Sequence, residues 1–211
     1  MPDFRSDKDR NLRVTERTPG FRSLGSYACG VSTGAITATL SANSNLFYVR
    51  WTDTTRYSLI QKLWVNAYVT GTITAAVNFR LGAFFGTGFS VAPSANQTAA
   101  TLSTRNCKLR TSMGTTLMTA IYSCTTAGMT GATITLDTQP FAEIGGNTGT
   151  AVGTQFFGNA PAPIFQCWYG GIHPVVLAAN EGICVQNLVA GPATGTFTCA
   201  FSVQWVEVDE Y

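Results

Sequence analysis

Large apolar and small or polar residues alternate along the last stretch of the chain, residues 195–208. Every second position carries an aromatic, aliphatic or cysteine side chain, and Thr, Ala, Ser and Gln fill the positions between them. Successive side chains of a strand point to opposite faces, so this period of two predicts a half-buried strand with one continuous apolar face. The apolar positions are Phe197, Cys199, Phe201, Val203 and Trp205.

Neighbouring apolar runs separated by turn-forming residues predict three hairpins. Residues 182–190 are apolar and partly β-branched, and Gly191 and Pro192 separate them from the last strand. Gly and Pro favour turns, so we expect a C-terminal hairpin. By the same argument, residues 27–31 and 35–40 predict a first hairpin, and residues 57–70 and 73–85 a long central hairpin.

Shorter apolar runs predict further strands, at residues 46–51, 117–124, 132–136, 164–169 and 174–178. Residues 97–102 suit either a short helix or a strand. Residues 139–163 are dominated by Gly, Asn, Thr, Ala and Pro, and we expect a long loop there. A loop of more than about 15 residues is usually a working surface or a disordered excursion, and a working surface here would contact a neighbour or partner.

The pattern as a whole predicts an all-β protein with about ten strands and no long helix. We expect residues 25–211 to form a single β-sandwich of jelly-roll type, with a closed barrel as the alternative.

Charged residues are scarce, at 11% of the chain against roughly 25% in ordinary soluble proteins. Ten of the 24 lie between Asp3 and Arg22, so the rest of the chain is poorer still. We expect neighbouring subunits to cover much of this surface. The alternative is a surface solvated by its many Thr, Ser, Asn and Gln side chains.

The first 24 residues mix charges of both signs with isolated apolar residues and show no regular period. We predict an extended N-terminal arm over residues 1–24 that contacts a partner, and the alternative is a tail without a role. The contact residues predicted in the arm are Phe4, Arg5, Arg10, Leu12, Arg13, Arg17, Phe21 and Arg22.

A second concentration of positive charge consists of Arg105, Lys108 and Arg110. This basic loop could bind an acidic neighbouring subunit, and the alternative is a solvated loop.

Residues suited to catalysis or metal binding are sparse. The six cysteines lack a C-x-x-C pair and the N-terminus does not resemble a signal peptide, so we expect reduced, mostly buried thiols. His173 is the single histidine and precedes a proline, which favours a structural role. The acids Asp53, Asp137, Glu143 and Glu181 are far apart, and acids at turns usually bond backbone amides. We therefore predict no enzyme activity, no cofactor and no metal.

Two further partners are disfavoured. A net charge of +2 without a basic stripe argues against nucleic acid. No apolar stretch reaches the ~20 residues that cross a bilayer, which argues against a membrane. Trp64, or Trp168 with Tyr169, could stack on a sugar ring, although such residues more often serve packing.

Several stretches resemble a family of small virion-associated proteins of tailed bacteriophages. They are Leu-Gly-Ser-Tyr at 24–27, Phe-Tyr-Val-Arg-Trp-Thr-Asp-Thr-Thr-Arg-Tyr at 47–57, Lys-Leu-Arg-Thr-Ser-Met-Gly-Thr at 108–115, Leu-Ala-Ala-Asn-Glu-Gly-Ile at 177–183 and Val-Gln-Trp-Val-Glu-Val at 203–208. The resemblance spans nearly the whole chain. It implies a particle component on or in the capsid shell, and it supplies no catalytic residue.

We therefore expect a capsid decoration or cement protein of a bacteriophage virion, assembled in the host cytoplasm. Its partners would be the major capsid protein or other virion subunits, and it would form a symmetric homo-oligomer such as a trimer. The alternative is a tail or fibre module that binds a host-surface glycan.

Overall fold

The computed structural model describes residues 4–6, 12–14, 25–37, 39–102, 107–158, 161–167, 173–209 and 211. These residues form fifteen strands and no helix, so the all-β prediction is confirmed for them. In chain order the strands are β1 (Phe4–Ser6), β2 (Leu12–Val14), β3 (Gly25–Ser32), β4 (Ile36–Thr37), β5 (Ser44–Trp51), β6 (Tyr57–Gly71), β7 (Asn78–Val91), β8 (Gln97–Ala99), β9 (Ala120–Cys124), β10 (Thr133–Leu136), β11 (Ala142–Asn147), β12 (Ala162–Gln166), β13 (Val175–Leu177), β14 (Glu181–Asn187) and β15 (Thr196–Val208).

Seven of these strands form one antiparallel sheet in the order β10-β7-β14-β5-β9-β8. The seventh, β11, pairs with the first part of β7, and β10 pairs with its last part. Both lie along the edge of β7 opposite β14, because residues 81–83 of β7 pair with β11 and β14 at once, and Gly86 pairs with both β10 and β14.

The second sheet is also antiparallel and has six strands, in the order β12-β6-β15-β3. The short strand β13 pairs with the start of β6, and β4 pairs with the start of β15. The two longest strands of this sheet, β6 and β15, pair with each other in its middle.

Aromatic rings from the two sheets meet between them and form one continuous core. Phe201 of β15 stacks on Phe47 of β5 with ring centroids 4.8 Å apart, and Phe197 contacts Phe79 of β7 at 5.1 Å. Full burial of such a side chain stabilises the fold by roughly 1.5–3 kcal/mol. The two antiparallel sheets are therefore packed together as a β-sandwich.

The apolar face predicted for the last strand is confirmed. Phe197, Cys199, Phe201, Val203 and Trp205 are each at most 1% exposed, and all belong to the core between the sheets.

The three predicted hairpins are wrong, although their strands exist. β14 and β15 lie in different sheets, and so do β6 and β7. β3 and β4 each pair with β15 and not with each other. Alternation predicts a strand and its buried face but not its partner, and in a sandwich a short connection can carry the chain from one sheet to the other.

The crossing from β14 to β15 depends on Gly195. Its φ is 80°, a conformation that other residues rarely adopt. A Cβ atom on this residue would lie 2.5 Å from the carbonyl oxygen of Gly71 and would also meet the carbonyl oxygen of Thr72. Only glycine avoids both problems.

Two segments without clear alternation, residues 97–102 and 139–163, contain strands in the structure. Residues 97–102, for which a helix and a strand were both open, include the strand β8. The loop predicted at residues 139–163 is wrong in part, because β11 lies within it and pairs with β7.

Of the predicted N-terminal arm, the structure describes only β1 and β2. These strands pair with each other in antiparallel fashion, with Phe4 opposite Val14. The other residues of 1–24 lie outside the described part of the chain, so the extended arm stays a prediction.

Candidate functional site

The outer face of the six-stranded sheet carries small residues next to a large aromatic one. Ser202 of β15 lies opposite Gly30 of β3 on one side and opposite Trp64 of β6 on the other. Paired positions of neighbouring strands share a face. Since Phe201 and Val203 point into the core, this row of three residues points outward.

A second row lies directly beside the first. Ala200 of β15 is opposite Ser32 on β3 and Asn66 on β6. Together the two rows leave an open depression with a volume of about 300 Å³, and Pro161 contributes to its rim. We call this depression the trough. It exists because β3 and β15 carry only Gly, Ala and Ser where β6 carries Trp and Asn.

Contacts on two sides hold the Trp64 ring in place. Its Nε1–H donates a hydrogen bond to Oε1 of Gln166 on β12, at 3.2 Å. The Lys62 ammonium lies 5.5 Å from the ring centroid, within the range of a cation–π contact. Lys62 and Asn66 flank Trp64 on the same face of β6, and Trp64 and Asn66 line the trough whereas Lys62 does not.

Polar groups of three strands converge on the trough. Ser202, Gly30 and Ser32 are exposed there. Oδ1 of Asn66 is buried and has no hydrogen-bond partner among the described residues. Such an unpaired acceptor costs free energy unless a further group bonds to it.

The structure places only part of the predicted arm contacts. Four of them lie in the paired strands β1 and β2, where Arg5 is opposite Arg13 along the backbone. The predicted contact residues in these strands are Phe4, Arg5, Leu12 and Arg13. The predicted contact residues outside the described part of the chain are Arg10, Arg17, Phe21 and Arg22.

The basic loop lies along the free edge of β3. Lys108 pairs with Tyr27 as an isolated β-bridge, and the N–H of Leu109 donates to the carbonyl oxygen of Ser26 at 3.2 Å. Arg110 is exposed. No ion pair joins Lys108 or Arg110 to another described residue, and Arg105 lies outside the described residues.

Residues 107–118, which we call the cover segment, are fixed to the sandwich by a buried acid. Glu207 of β15 is fully buried and accepts hydrogen bonds from the backbone N–H of Leu117, the hydroxyl of Thr116 and Nε1 of Trp205. Tyr27 stacks on Trp205 with centroids 5.5 Å apart. Burial, and then the charge of Glu207, raises the pKa of Tyr27 to about 12.

The carboxylates named as catalytic candidates have partners that suit structural roles. Asp53 accepts the N–H groups of Thr55 and Arg56, and the bond from Thr55 is the main reason that its pKa is lowered. Glu181 accepts the N–H of Ala178 at 2.6 Å, again a local backbone bond. For these two acids the predicted bonding to backbone amides is confirmed.

Two further candidates, Glu143 and His173, bond to side chains. Glu143 lies near the start of β11, where its carboxylate pairs with the Arg80 side chain and not with a described backbone amide. His173 bonds through Nδ1 to the hydroxyl of Tyr211. Among the described residues no three His, Cys, Asp or Glu side chains come together as a metal site would require.

All six cysteines are free thiols, as predicted, and four of them are buried. Burial raises the pKa of Cys124 to about 12 and that of Cys199 well above the ordinary value. Burial is also the largest cause that raises the pKa of Cys29 to about 12, with Cys107 adding to it. The reactive thiolate is therefore disfavoured at these positions.

Most charged side chains of the described body are bonded within the chain. Arg50 donates to the carbonyl oxygens of Phe89 and Ser90, at 2.8 and 2.6 Å. Between described residues the salt bridges are Arg56 with Asp209 and Arg80 with Glu143. These two pairs are partly exposed, so their charges face solvent as paired groups.

Comparison with protein-family models, with curated proteins and with solved structures found no match to this chain. The described residues include no helix whose length and hydropathy would let it cross a membrane.

The sequence analysis does not predict the trough, although the residues that form it are visible in the alternating pattern. The pattern indicates Trp64 as a candidate stacking residue. It places Ala200 and Ser202 only on the small or polar side of an alternating strand. Small residues at outward positions of two adjacent strands predict a depression once the strands are known to pair, and that pairing was not predicted. Trp168 and Tyr169 lie outside the described residues.

Proposed function

We propose that this chain is a structural subunit of a bacteriophage virion, a capsid decoration or cement protein that binds the shell of the major capsid protein. The observation that carries this proposal is the scarcity of charge in the body: of the chain's 24 charged residues ten lie in residues 1–24 and only 14 in residues 25–211, and most of the described ones are paired or hydrogen-bonded within the chain. The buried parts of protein interfaces are depleted in charged residues, so a body this poor in charge suits coverage by neighbouring subunits.

The resemblance of five stretches to virion-associated proteins of tailed phages supports the same proposal. A rigid two-sheet body is well suited to reinforce a shell, because its long central strands resist local opening. In this proposal the fold is of jelly-roll type, the protein assembles in the host cytoplasm, and it forms a symmetric oligomer such as a trimer.

Two surfaces would contact the shell. The N-terminal arm, residues 1–24, would extend onto a neighbouring subunit and gain affinity from backbone hydrogen bonds and buried area. The basic loop would meet acidic groups, and Lys108 and Arg110 suit that role because no described residue pairs with their charge.

A second candidate function is a tail or fibre module that binds a host-surface glycan. The trough favours it, because an aromatic wall beside small and polar residues suits a sugar ring.

Negative-stain imaging of purified particles labelled with an antibody against this protein tests the first proposal. Even labelling over the head supports a decoration protein. Labelling confined to the tail tip overturns it and favours the second candidate, and absence of the protein from purified particles overturns both.

A further inference from the structure

We propose that the trough on the outer face of the six-stranded sheet binds one neutral sugar ring of a glycan. This site is the one through which the second candidate function would act. It does not depend on where in a particle the subunit sits.

The shape of the trough suits a single flat ring. Its floor consists of Ser202 and Ala200 on β15 with Gly30 on the adjacent strand, none of which projects far from the sheet. Its volume of about 300 Å³ lies at the lower end of the range for small-ligand sites. Trp64 and Pro161 stand at its border, so a ring lying on the floor would touch an apolar surface at its side.

Trp64 supplies the main contact surface. The C–H groups of a sugar ring pack against the face of an indole, which carries partial negative charge. The bond to Gln166 and the contact with Lys62 already hold this indole, so binding would cost little side-chain freedom. Lys62 lies over one face of the ring, and the ring is part of the lining of the trough.

Hydrogen-bonding groups are placed for the hydroxyls of such a ring. The hydroxyl of Ser202 and the backbone of Gly30 are exposed on the floor. Asn66 also lines the trough, and its Oδ1, buried and without a partner among the described residues, becomes an acceptor for a sugar hydroxyl when the side chain turns towards the trough. These groups form bonds in several directions, as sugar recognition requires.

The same residues argue for a neutral sugar. No charged side chain is among the described residues that line the trough, and Lys62, which lies over the Trp64 ring, does not line it. An acidic sugar would have to bury a carboxylate without a cationic partner, which is costly. A second copy of the chain on this face would bury the same small residues, and the experiment below distinguishes that occupant.

Isothermal titration calorimetry of the full-length protein tests the site with three probes: glucose hexamers, N-acetylglucosamine hexamers and galacturonic acid hexamers. We expect at least one neutral hexamer to bind and the acidic one not to bind. Trp64→Ala should weaken binding at least tenfold. Ser202→Trp, which fills the floor from an exposed position and leaves the core intact, should abolish binding.

Tyr57→Ala is the matched control, because Tyr57 is an aromatic residue of the same strand, is 36% exposed and does not line the trough. It should bind like the unchanged protein. The proposal is overturned if no neutral hexamer binds, or if Ser202→Trp binds as well as Tyr57→Ala. It is also overturned if Ser202→Trp changes the sedimentation coefficient, since the occupant would then be a second copy.

Failure of this inference is distinguishable from failure of the capsid proposal. Ser202→Trp subunits should still enter particles and label the head if the decoration role is correct, whatever the calorimetry shows.

Discussion

The carboxylate of Glu207 accepts the backbone N–H of Leu117 through both of its oxygens, at 3.0 and 3.1 Å. Nε1 of Trp205 donates to the same group at 3.1 Å. A carboxylate buried this completely is tolerated only when such donors replace its lost water. Glu207 therefore fixes the end of the cover segment to the body, while the backbone bonds of residues 107–109 with β3 hold its start.

Glu207→Ala should destabilise the protein by about 3 kcal/mol, because it leaves buried donors on Leu117 and Trp205 without an acceptor. The unfolding midpoint in urea measures this loss. The cover segment should also open more often, so trypsin should cut faster after Lys108 and Arg110.

Glu143→Ala is the control for this variant. Glu143 pairs with Arg80 at a partly exposed site, so its removal should cost less than ~1 kcal/mol and leave the tryptic pattern unchanged. Equal unfolding midpoints for the two variants would show that Glu207 does not hold the cover segment.

The strands of this protein were more predictable than their pairing. Strand β15 was located from alternation alone, because burial of one face imposes a period of two on its sequence. Its partners β6 and β3 are far away in the chain, and no local pattern encodes them. The trough depends on that pairing, so from the sequence only Trp64 could be named as a candidate.

Strand β6 shows a second limit of predicting buried faces from alternation. Strict alternation along β6 would put Leu59, Gln61 and Leu63 on one face, but the register with β15 shifts so that Gln61 is an extra residue between Ile60 and Lys62. Ile60 then enters the core, while Leu59 joins a small separate cluster with Val206 and Val208. A bulge of this kind reverses the faces beyond it and leaves no mark in a single sequence.

Reversing the charge of the basic loop should weaken particle binding without weakening the fold. The double variant Lys108→Glu, Arg110→Glu should incorporate into particles less well, and the loss should be larger at low salt, where charge is less screened. Quantitative blotting of purified particles measures incorporation. The charge-conserving variant Lys108→Arg, Arg110→Lys is the control, and equal incorporation of both variants would contradict a role for these charges.

Deletion of residues 1–24 should abolish incorporation and leave the body folded. Residues 25–211 contain both sheets and the core, so the circular dichroism spectrum and the urea midpoint should stay close to those of the full chain. The incorporation assay of the preceding experiment applies. A truncated chain that still enters particles would show that the arm is not a partner contact.

The protein should lose stability at alkaline pH because its buried thiols resist ionisation. The pKa of Cys124 is raised to about 12, so the unfolded chain releases this proton near pH 9 while the folded chain keeps it. Stability is then complete below pH 9 and falls as the pH rises towards 12. At pH 10 the loss from one such thiol is roughly 1 kcal/mol.

Urea unfolding under reducing conditions at pH 7.5 and pH 10 measures this loss of stability. Cys124→Ala removes one titrating group and should show a smaller drop between the two pH values than the unchanged protein. An identical drop would mean that this thiol ionises equally in both states.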